Sequence, residues 1–550
     1  MSEQSKKQSF LGGAAILAGA VAVVKVIGAL YKLPLNNILG DVGKTYFQTA
    51  YEIYNVLLTV STAGLPLAIS KLTSQAHARG RENEKRKIFR TAIWLFFALG
   101  LIGSCLMFFG AQGLADFQRN SMAAAPIRAL APAVFCVCLL ACMRGYTQGQ
   151  GNMGPTAVSQ VLEALCKLGV GLPLAWYILK KTQEAGNAAQ LAAGSDGMEN
   201  VAAGAIFGVT VGTILSMVFL ILYLLRHRDN TPSDDVPRSG GYLLRRILAI
   251  GVPITLGNCA MSIITMIDTK IILGRLQSGL GLTEVAASAL KGQYSYAMDM
   301  LNMVASFVYP VTMSLIPFAA AALAQGDKRG ASRTVNSAFR VLALLALPAG
   351  VGLSVLSTPI MVLVLPAQRE GALAAGPHLK ILGIACIFVC LMILTNAILQ
   401  TYGKEHLPIF TVIVGGVVKI VMNYILVGNP NIGINGAPWS TLCCYGVIAG
   451  LNLFFVWKYS PRKPHYFRLF ARPVFASALM GLAAWAVCSL VGKLLSGHSA
   501  YGANAIATLC GILAGVAVYG VLVIALGLLR ADDVRNIRGG QKLIRLLHLR

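Results

Sequence analysis

Charge is what this sequence has least of. Only 12% of its 550 residues are charged, against roughly a quarter in a soluble domain, which leaves too little polar surface for a water-soluble chain of this length. Acid is scarcer than base, with 21 Asp and Glu against 46 Lys and Arg. The alternating polarity of a membrane β-barrel is absent. Histidine is scarce, and Cys136-x-Cys138 has neither the spacing nor a nearby His for zinc, so no metal site is expected. The twelve cysteines lie in or beside apolar runs, as with Cys136, Cys138, Cys142, Cys386 and Cys390. They read as small buried hydrophobes and not as a disulfide framework. Paired carboxylates suited to sugar transfer are also missing: Asp41, Asp116, Glu184 and Glu370 are scattered, and no enzyme activity is expected. The stretch Gly40-Asp41-Val42-Gly43-Lys44-Thr45 echoes a phosphate-binding loop, but Ile38 stands where its first Gly is required. Net charge of +25 does not point to nucleic acid here, because the bases sit between apolar runs.

What the chain has is hydrophobic length. Runs of about 20 apolar residues can cross a bilayer as helices, and backbone in lipid must satisfy its own hydrogen bonds. The fold class expected is an all-α polytopic membrane protein of about 14 transmembrane helices. The spans fall near residues 10–35, 46–71, 89–113, 123–147, 154–180, 200–225, 245–274, 293–322, 336–365, 379–402, 407–428, 436–457, 473–495 and 503–529. The first run is longer than the core of a signal peptide and reads as a retained helix. Connections alternate in charge. Thirty Lys and Arg lie on the side holding the N-terminus, the stretches 71–90, 226–246, 328–340 and 458–472, Lys404 and the C-terminus. Eight lie opposite: Lys44, Arg119, Lys180, Lys181, Arg275, Lys291, Arg369 and Lys493. The positive-inside rule then places both termini in the cytoplasm.

An internal repeat organises the spans. Leu65-Pro66 and Phe89-Arg90 correspond to Ile316-Pro317 and Phe339-Arg340. Gln148, Gly151, Pro155 and Lys167 run parallel to Gln400, Gly403, Pro408 and Lys419. The offsets cluster near 250 residues, or six helices, so two parallel six-helix lobes are expected about an axis along the membrane normal. The domains are a first lobe over 1–226, a cytoplasmic linker over 227–244 and a second lobe over 245–457. A basic cytoplasmic connection over 458–472 leads to two extra helices over 473–529 and a basic tail over 530–550. Gly511-x-x-x-Gly515 in the last helix reads as ordinary small-residue packing.

Ionisable residues within spans are costly and mark the site. Lys25, Gly28 and Lys32 share one face of the first helix, as do Gln48, Glu52 and Asn55 on the second. Arg144 and Gln148 follow on the fourth, Glu163 and Lys167 on the fifth, and Lys419 and Asn423 on the eleventh. These give the substrate-binding set Lys25, Gly28, Lys32, Glu52, Arg144, Gln148, Glu163, Lys167, Lys419 and Asn423. Counting Arg128 and Lys270, in-span cations outnumber Glu52, Glu163, Asp268 and Asp299. A positive excess suits pyrophosphate or another anionic headgroup. Asp268 and Asp299 are candidates for binding a coupling cation or for pairing with lysines. Glu163 and Lys167, one turn apart, could equally neutralise each other, and Lys32, Arg144 and Lys270 could reach a membrane surface.

Phe10 to Leu17, Lys25 to Leu35, Ser61 to Lys71, Arg144 to Gly149, Ser159 to Glu163, Ile267-Asp268-Thr269 and Lys419 to Tyr424 together resemble the stage V sporulation protein B group of polysaccharide-biosynthesis membrane proteins. That group is similar to the MurJ lipid II flippases, within the multidrug/oligosaccharidyl-lipid/polysaccharide exporter superfamily. The resemblance implies two lobes around a central cavity with alternating access, and a lateral groove for the lipid tail built with helices thirteen and fourteen. It also implies a functional role for first-helix bases, which falls on Lys25 and, with one residue of register open, on Lys32. The eighth-helix arginine of MurJ proteins has no equivalent here, where Tyr296 to Asn302 carries Asp299 and no base. The expected function is export of a polyprenyl-linked sugar phosphate, lipid II-like, from the cytoplasmic to the outer leaflet of the bacterial plasma membrane, serving cell-wall or spore polysaccharide synthesis. No cofactor is expected; Na+, H+ or the membrane potential would drive transport. Membrane lipids and cell-wall synthesis enzymes are the candidate partners, and nucleic acid is not. The alternatives are a cation antiporter of the same superfamily, which usually has twelve helices, and a membrane glycosyltransferase or polymerase.

Overall fold

A computed structural model describes residues 3–184, 197–227, 231–308, 327–460, 463–495 and 499–528; within these, side chains are described from residue 17 onward save those of Ala18 and Lys328. Every regular element in these residues is helical. Twelve helical stretches among them are long and apolar enough to cross a membrane. One of these, Gly19–Ala78, covers the first two expected spans, and the eighth expected span is described only as far as Val308. The observed stretches therefore match the expected series. Ile316-Pro317, the far end of the eighth span and the basic tail lie outside the described residues.

The chain forms two compact units, Met1–Gly292 and Gln293–Arg550. In the first, α1 (Glu3–Thr62) runs through a non-helical kink at Gly40, with φ 62° and ψ −176°. The left-handed φ is open to Gly without the steric cost a Cβ would bring. The connection expected between the first two spans is thus a bent helix, and Lys44, placed by its sequence context in an outer connection, is buried within it. α2 (Leu65–Ala78) and α3 (Glu82–Phe109) follow, then α4 (Ala124–Gly149). α4 is the core of the unit, packed by α1, α2 and α3, with Ile127, Leu130, Ala131, Val134, Cys138 and Cys142 buried. Next come α5 (Gly154–Cys166), a π-helical turn (Lys167–Gly171) and α6 (Leu172–Glu184). α7 (Met198–Arg226) closes against α4.

α8 (Gly240–Leu280) packs on α1, α2 and α3 within the same unit. The Thr255 hydroxyl accepts from the Gly64 amide at 3.2 Å, and Thr59 and Ser262 pair their hydroxyls at 3.0 Å. α9 (Glu284–Ser306) begins here. A Cβ at Gly292 would collide with the Asp41 carbonyl, so only glycine lets α9 lie this close to the kink of α1. Thr45 donates to the Ser288 carbonyl at 2.7 Å across the same contact. Lys291, also expected in an outer connection, is consequently buried.

The second unit contains α10 (Lys328–Val355), α11 (Arg369–Thr401), α12 (His406–Val427), α13 (Gly436–Tyr459), α14 (Tyr466–Leu494) and α15 (Ala500–Ala525). α11 is its central helix, packed by α10 and α13. α14 and α15 pair closely, and Gly511 and Gly515 face Ala484, Cys488 and Met480, so the small-residue spacing does serve helix packing. The outward faces are apolar: Trp94, Ile102 and Phe109 on α3 and Leu513 and Val516 on α15 are exposed. In water such faces would aggregate, whereas against lipid tails they carry no penalty. The protein is a multi-pass membrane protein.

Candidate functional site

The first unit assembles three of the expected residues into one network. The Arg144 guanidinium on α4 donates from Nε to Ser159 at 2.9 Å and from an Nη to Glu163 at 3.3 Å. Lys167 Nζ lies 3.5 Å from the other Glu163 oxygen. One carboxylate therefore holds two cations, and the cluster keeps one net positive charge. Its side chains are only 16–24% exposed. Gln148, one turn beyond Arg144, donates to Thr156 at 3.4 Å, tying the same two helices together. Lys167 opens the π-helical turn, a local widening that frequently marks functional positions because it re-aims side chains without ending the helix.

The second half of α1 flanks this network. Tyr51 stacks on Phe47 with centroids 5.8 Å apart, and its hydroxyl lies against the Lys167 ammonium. Neither Tyr51 nor Ser159 is in the expected binding set. Tyr51 follows the Gln48–Glu52–Asn55 face by helical spacing, but its sequence fits equally an ordinary core aromatic. Glu52 is buried and accepts from Gln48 at 3.0 Å, with the Thr269 hydroxyl of α8 also beside its carboxylate. With Asn55 and Thr59 of α1 and Met261, Ser262 and Thr265 of α8, Glu52 lines a cavity of about 190 Å³. Asp268 and Lys291, both buried, lie within electrostatic reach of it. An expected coupling residue and an unexpected lysine thus join Glu52 in one mixed-charge cluster.

Lys25 and Lys32 lie close enough on α1 for their charges to interact; Lys25 is exposed and Lys32 half-buried. Gly28 between them has no neighbour within 4 Å of where a Cβ would stand, so this face is open and not a packing seam. In the second unit Lys419 and Asn423 are buried on one face of α12, and Asn423 accepts from the Ser440 hydroxyl. Asp299 is buried on α9. Lys270 sits 3.4 Å above the Phe117 ring, a cation–π contact at the end of its span, and Arg128 is exposed. Among the described residues no group of three or more His, Cys, Asp or Glu could hold a metal ion.

The stretch before α8 also acts on α3. Asp235 accepts from the Asn83 and Glu84 amides, each at 2.9 Å, supplying from a distance the acceptor that a helix start needs. Its slight burial opposes ionisation, but the Ser233 hydroxyl and these amides outweigh that and hold the carboxyl below its usual range.

Comparison with known proteins decides the family. Residues 10–322, more than half the chain, match the family described as polysaccharide biosynthesis protein. The chain belongs to that family. Residues 253–425 also match the MatE family. Three Bacillus subtilis (strain 168) proteins are similar nearly end to end. An uncharacterized membrane protein, YabM, is 26% identical over 98% of this chain and 96% of its own length. The stage V sporulation protein B is 23% identical over 96% and 98%, and the lipid II flippase MurJ 24% identical over 96% and 97%. Among solved structures, a lipid II flippase MurJ in an inward closed conformation aligns with TM-score 0.65 at 14% identity, covering 93% of this chain and 99% of its own. An inward-facing multidrug resistance MATE family transporter of the MOP superfamily aligns at 0.59 and 14%, covering 82% and 98%. This member of the polysaccharide biosynthesis family thus has the fold shared by these two solved structures.

Proposed function

We propose that this polysaccharide biosynthesis family member is a flippase that carries a polyprenyl-pyrophosphate-linked sugar precursor, of the lipid II kind, from the cytoplasmic to the outer leaflet by alternating access. The observation that carries this reading is the in-span positive excess of the first unit: Lys25, Lys32, Arg128, Arg144, Lys167 and Lys270 against Glu52, Glu163 and Asp268. A phosphate leaving water needs charge-assisted partners to offset its desolvation. Full-length similarity to a protein named as a lipid II flippase supports the same substrate class. In this reading Lys25, Lys32, Arg144 and Lys167 bind the headgroup phosphates. Glu52, Gln148, Lys419 and Asn423 contribute polar contacts, Glu163 positions Arg144 and Lys167, Gly28 leaves the face open, and Asp268 or Asp299 carries a coupling Na+ or H+. The two repeat lobes, 1–226 and 245–457, alternate access, and helices α14 and α15 guide the lipid tail. An inside-negative potential favours outward movement of an anion by about 2.3 kcal/mol per charge per 100 mV.

Reconstituted protein should move fluorescent lipid-linked sugar pyrophosphate to the opposite leaflet, faster with a potential of the right sign. The MATE-like fold keeps one rival in view, the export of organic cations against Na+ or H+. Uptake of a cationic dye with no flipping of the pyrophosphate lipid would replace the proposal with that rival. The orientation follows from charge asymmetry: termini and the 71–90 stretch in the cytoplasm of a bacterial plasma membrane. A single cysteine placed at Glu82 in a cysteine-free background should resist an impermeant reagent in intact cells; rapid labelling would reverse the topology.

A further inference from the structure

A second basic feature lies in the second unit, on its expected cytoplasmic side and apart from every residue assigned to transport. Arg329, Ser332, Arg333 and Asn336 of α10 and Lys463 and His465 before α14 line a cavity of about 490 Å³. Three fixed cations and an imidazole converge there, and the described lining contains no carboxylate. Ser332 is buried at the cavity wall. The nearest acid along α10, Asp327, is already used: its Oδ1 accepts from the Arg329 and Gly330 amides at 3.1 and 2.8 Å and caps the helix. A loose excess of cytoplasmic base follows from membrane orientation alone. Convergence of bases on one concave, polar-floored space does not.

The internal repeat supplies a control within the same chain. At an offset of 250 residues, Ser332 and Arg333 correspond to Glu82 and Asn83 at the start of α3. There the chain provides its own anions. Asp235, from the stretch before α8, accepts from the Asn83 and Glu84 amides, and Glu84 pairs with Arg81 at 3.0 Å and faces Arg238 at 3.8 Å. In the second unit, the stretch before α14 brings Lys463 and His465 in place of a carboxylate. Among the described residues, the position that is internally neutralised in one half has no carboxylate in the other.

The surroundings indicate which anion fits this basic lining. Lys463 Nζ lies 4.0 Å over the Trp457 ring. Trp457 and Tyr459 at the end of α13 and Phe467 at the start of α14, the last 85% exposed, present aromatic surface on the elements that flank the Lys463–His465 stretch. Exposed Trp and Tyr next to Lys and Arg are the signature of the headgroup layer of a bilayer, and basic pockets between helices on the cytoplasmic side suit anionic lipid headgroups. We infer that this cavity binds the phosphate of an anionic glycerophospholipid from the cytoplasmic leaflet, with Arg329, Arg333 and Lys463 on the phosphate oxygens and Ser332 and Asn336 on the glycerol hydroxyls. The lipid seats α10 against α14 and serves as a bound regulator, not as cargo.

The test uses full-length protein in phosphatidylcholine nanodiscs titrated with phosphatidylglycerol, with bound lipid counted by native mass spectrometry. R329Q/R333Q/K463Q should weaken phosphatidylglycerol binding roughly 100-fold, from the usual contribution of each basic residue near a membrane surface. R90Q/R226Q/R245Q, which removes the same charge elsewhere on that side, should change it less than about threefold. R329K/R333K, which keeps charge and loses the planar fork, should retain intermediate binding and so exclude misfolding as the cause. Equal loss in both triple variants would reduce the effect to bulk surface charge and overturn the site. Displacement of the lipid by millimolar inorganic phosphate would overturn the lipid assignment in favour of a soluble anion. Flipping of lipid-linked sugar is scored separately, so failure of the transport proposal would leave this measurement intact.

Discussion

Lys25→Ala should slow flipping of a lipid-linked sugar pyrophosphate by about one to two orders of magnitude while leaving the protein folded. Lys25 is exposed and sits beside a glycine whose face is open, so truncating it removes little packing; its stability effect should stay within about 0.5 kcal/mol. A hydrogen bond between charged groups is worth about 1.5–3 kcal/mol, so loss of one headgroup contact slows transport by roughly 10–100-fold. The charges of Lys25 and Lys32 interact along α1, and in the proposed reading an anionic headgroup entering beside them would gain from both. Lys25→Arg keeps the charge and should keep part of the rate. Transport by both variants at matched protein levels in proteoliposomes decides the matter. A wild-type rate for Lys25→Ala would return this residue to a surface anchor that lies over the lipid boundary.

Glu163→Ala should cost both stability and transport, because it strands two cations. Arg144 and Lys167 share this carboxylate in a setting only 16–24% exposed. Removing one partner of a buried pair leaves an uncompensated charge and costs about 3–5 kcal/mol; partial exposure brings this toward 3. A melting temperature lower by several degrees is expected for detergent-purified protein. Arg144→Gln should behave differently. It leaves Glu163 and Lys167 as a neutral pair, so the melting temperature should hold better while flipping falls, since the cluster's net positive charge is gone. A double variant, Glu163→Ala with Lys167→Ala, should recover part of the stability lost by the single one, as expected for coupled neighbours. Unchanged melting in Glu163→Ala would remove the shared-carboxylate arrangement from the account.

Together these variants separate two roles inside one cluster. In the proposed reading Glu163 positions the bases and the bases bind the headgroup. The sequence shows Glu163 and Lys167 one turn apart, a spacing compatible with simple mutual neutralisation. The structure adds Arg144, which lies 19 residues away and reaches Glu163 from another helix. With two bases on one acid, neutralisation is incomplete, and the cluster keeps one net positive charge.

Much of the fold was legible because it is written in short windows. Apolar runs long enough for a bilayer are a local property, and the helix is the only element that satisfies its own backbone there. Spacing of three, four and seven residues put Lys25 with Lys32 and Glu163 with Lys167 on shared faces before any packing was known. The charge asymmetry of the connections and the 250-residue repeat needed only counting.

Tertiary structure alone decided which of those faces meet. It buried Lys44 and Lys291, which a hydropathy window assigns to connections, because the kink at Gly40 continues α1 where a loop was expected and the bare backbone of Gly292 lets α9 press against Asp41. It set Tyr51 beside Lys167, and it joined Glu52 to Asp268 and Lys291 across three helices. Each of these contacts depends on the approach of two backbones far apart in sequence, set by side-chain volume at the crossing and not by periodicity along either strand of sequence. The sequence by itself determined that this chain crosses the membrane many times and carries a positive excess within its spans; packing determined which charges share a partner and which stay open.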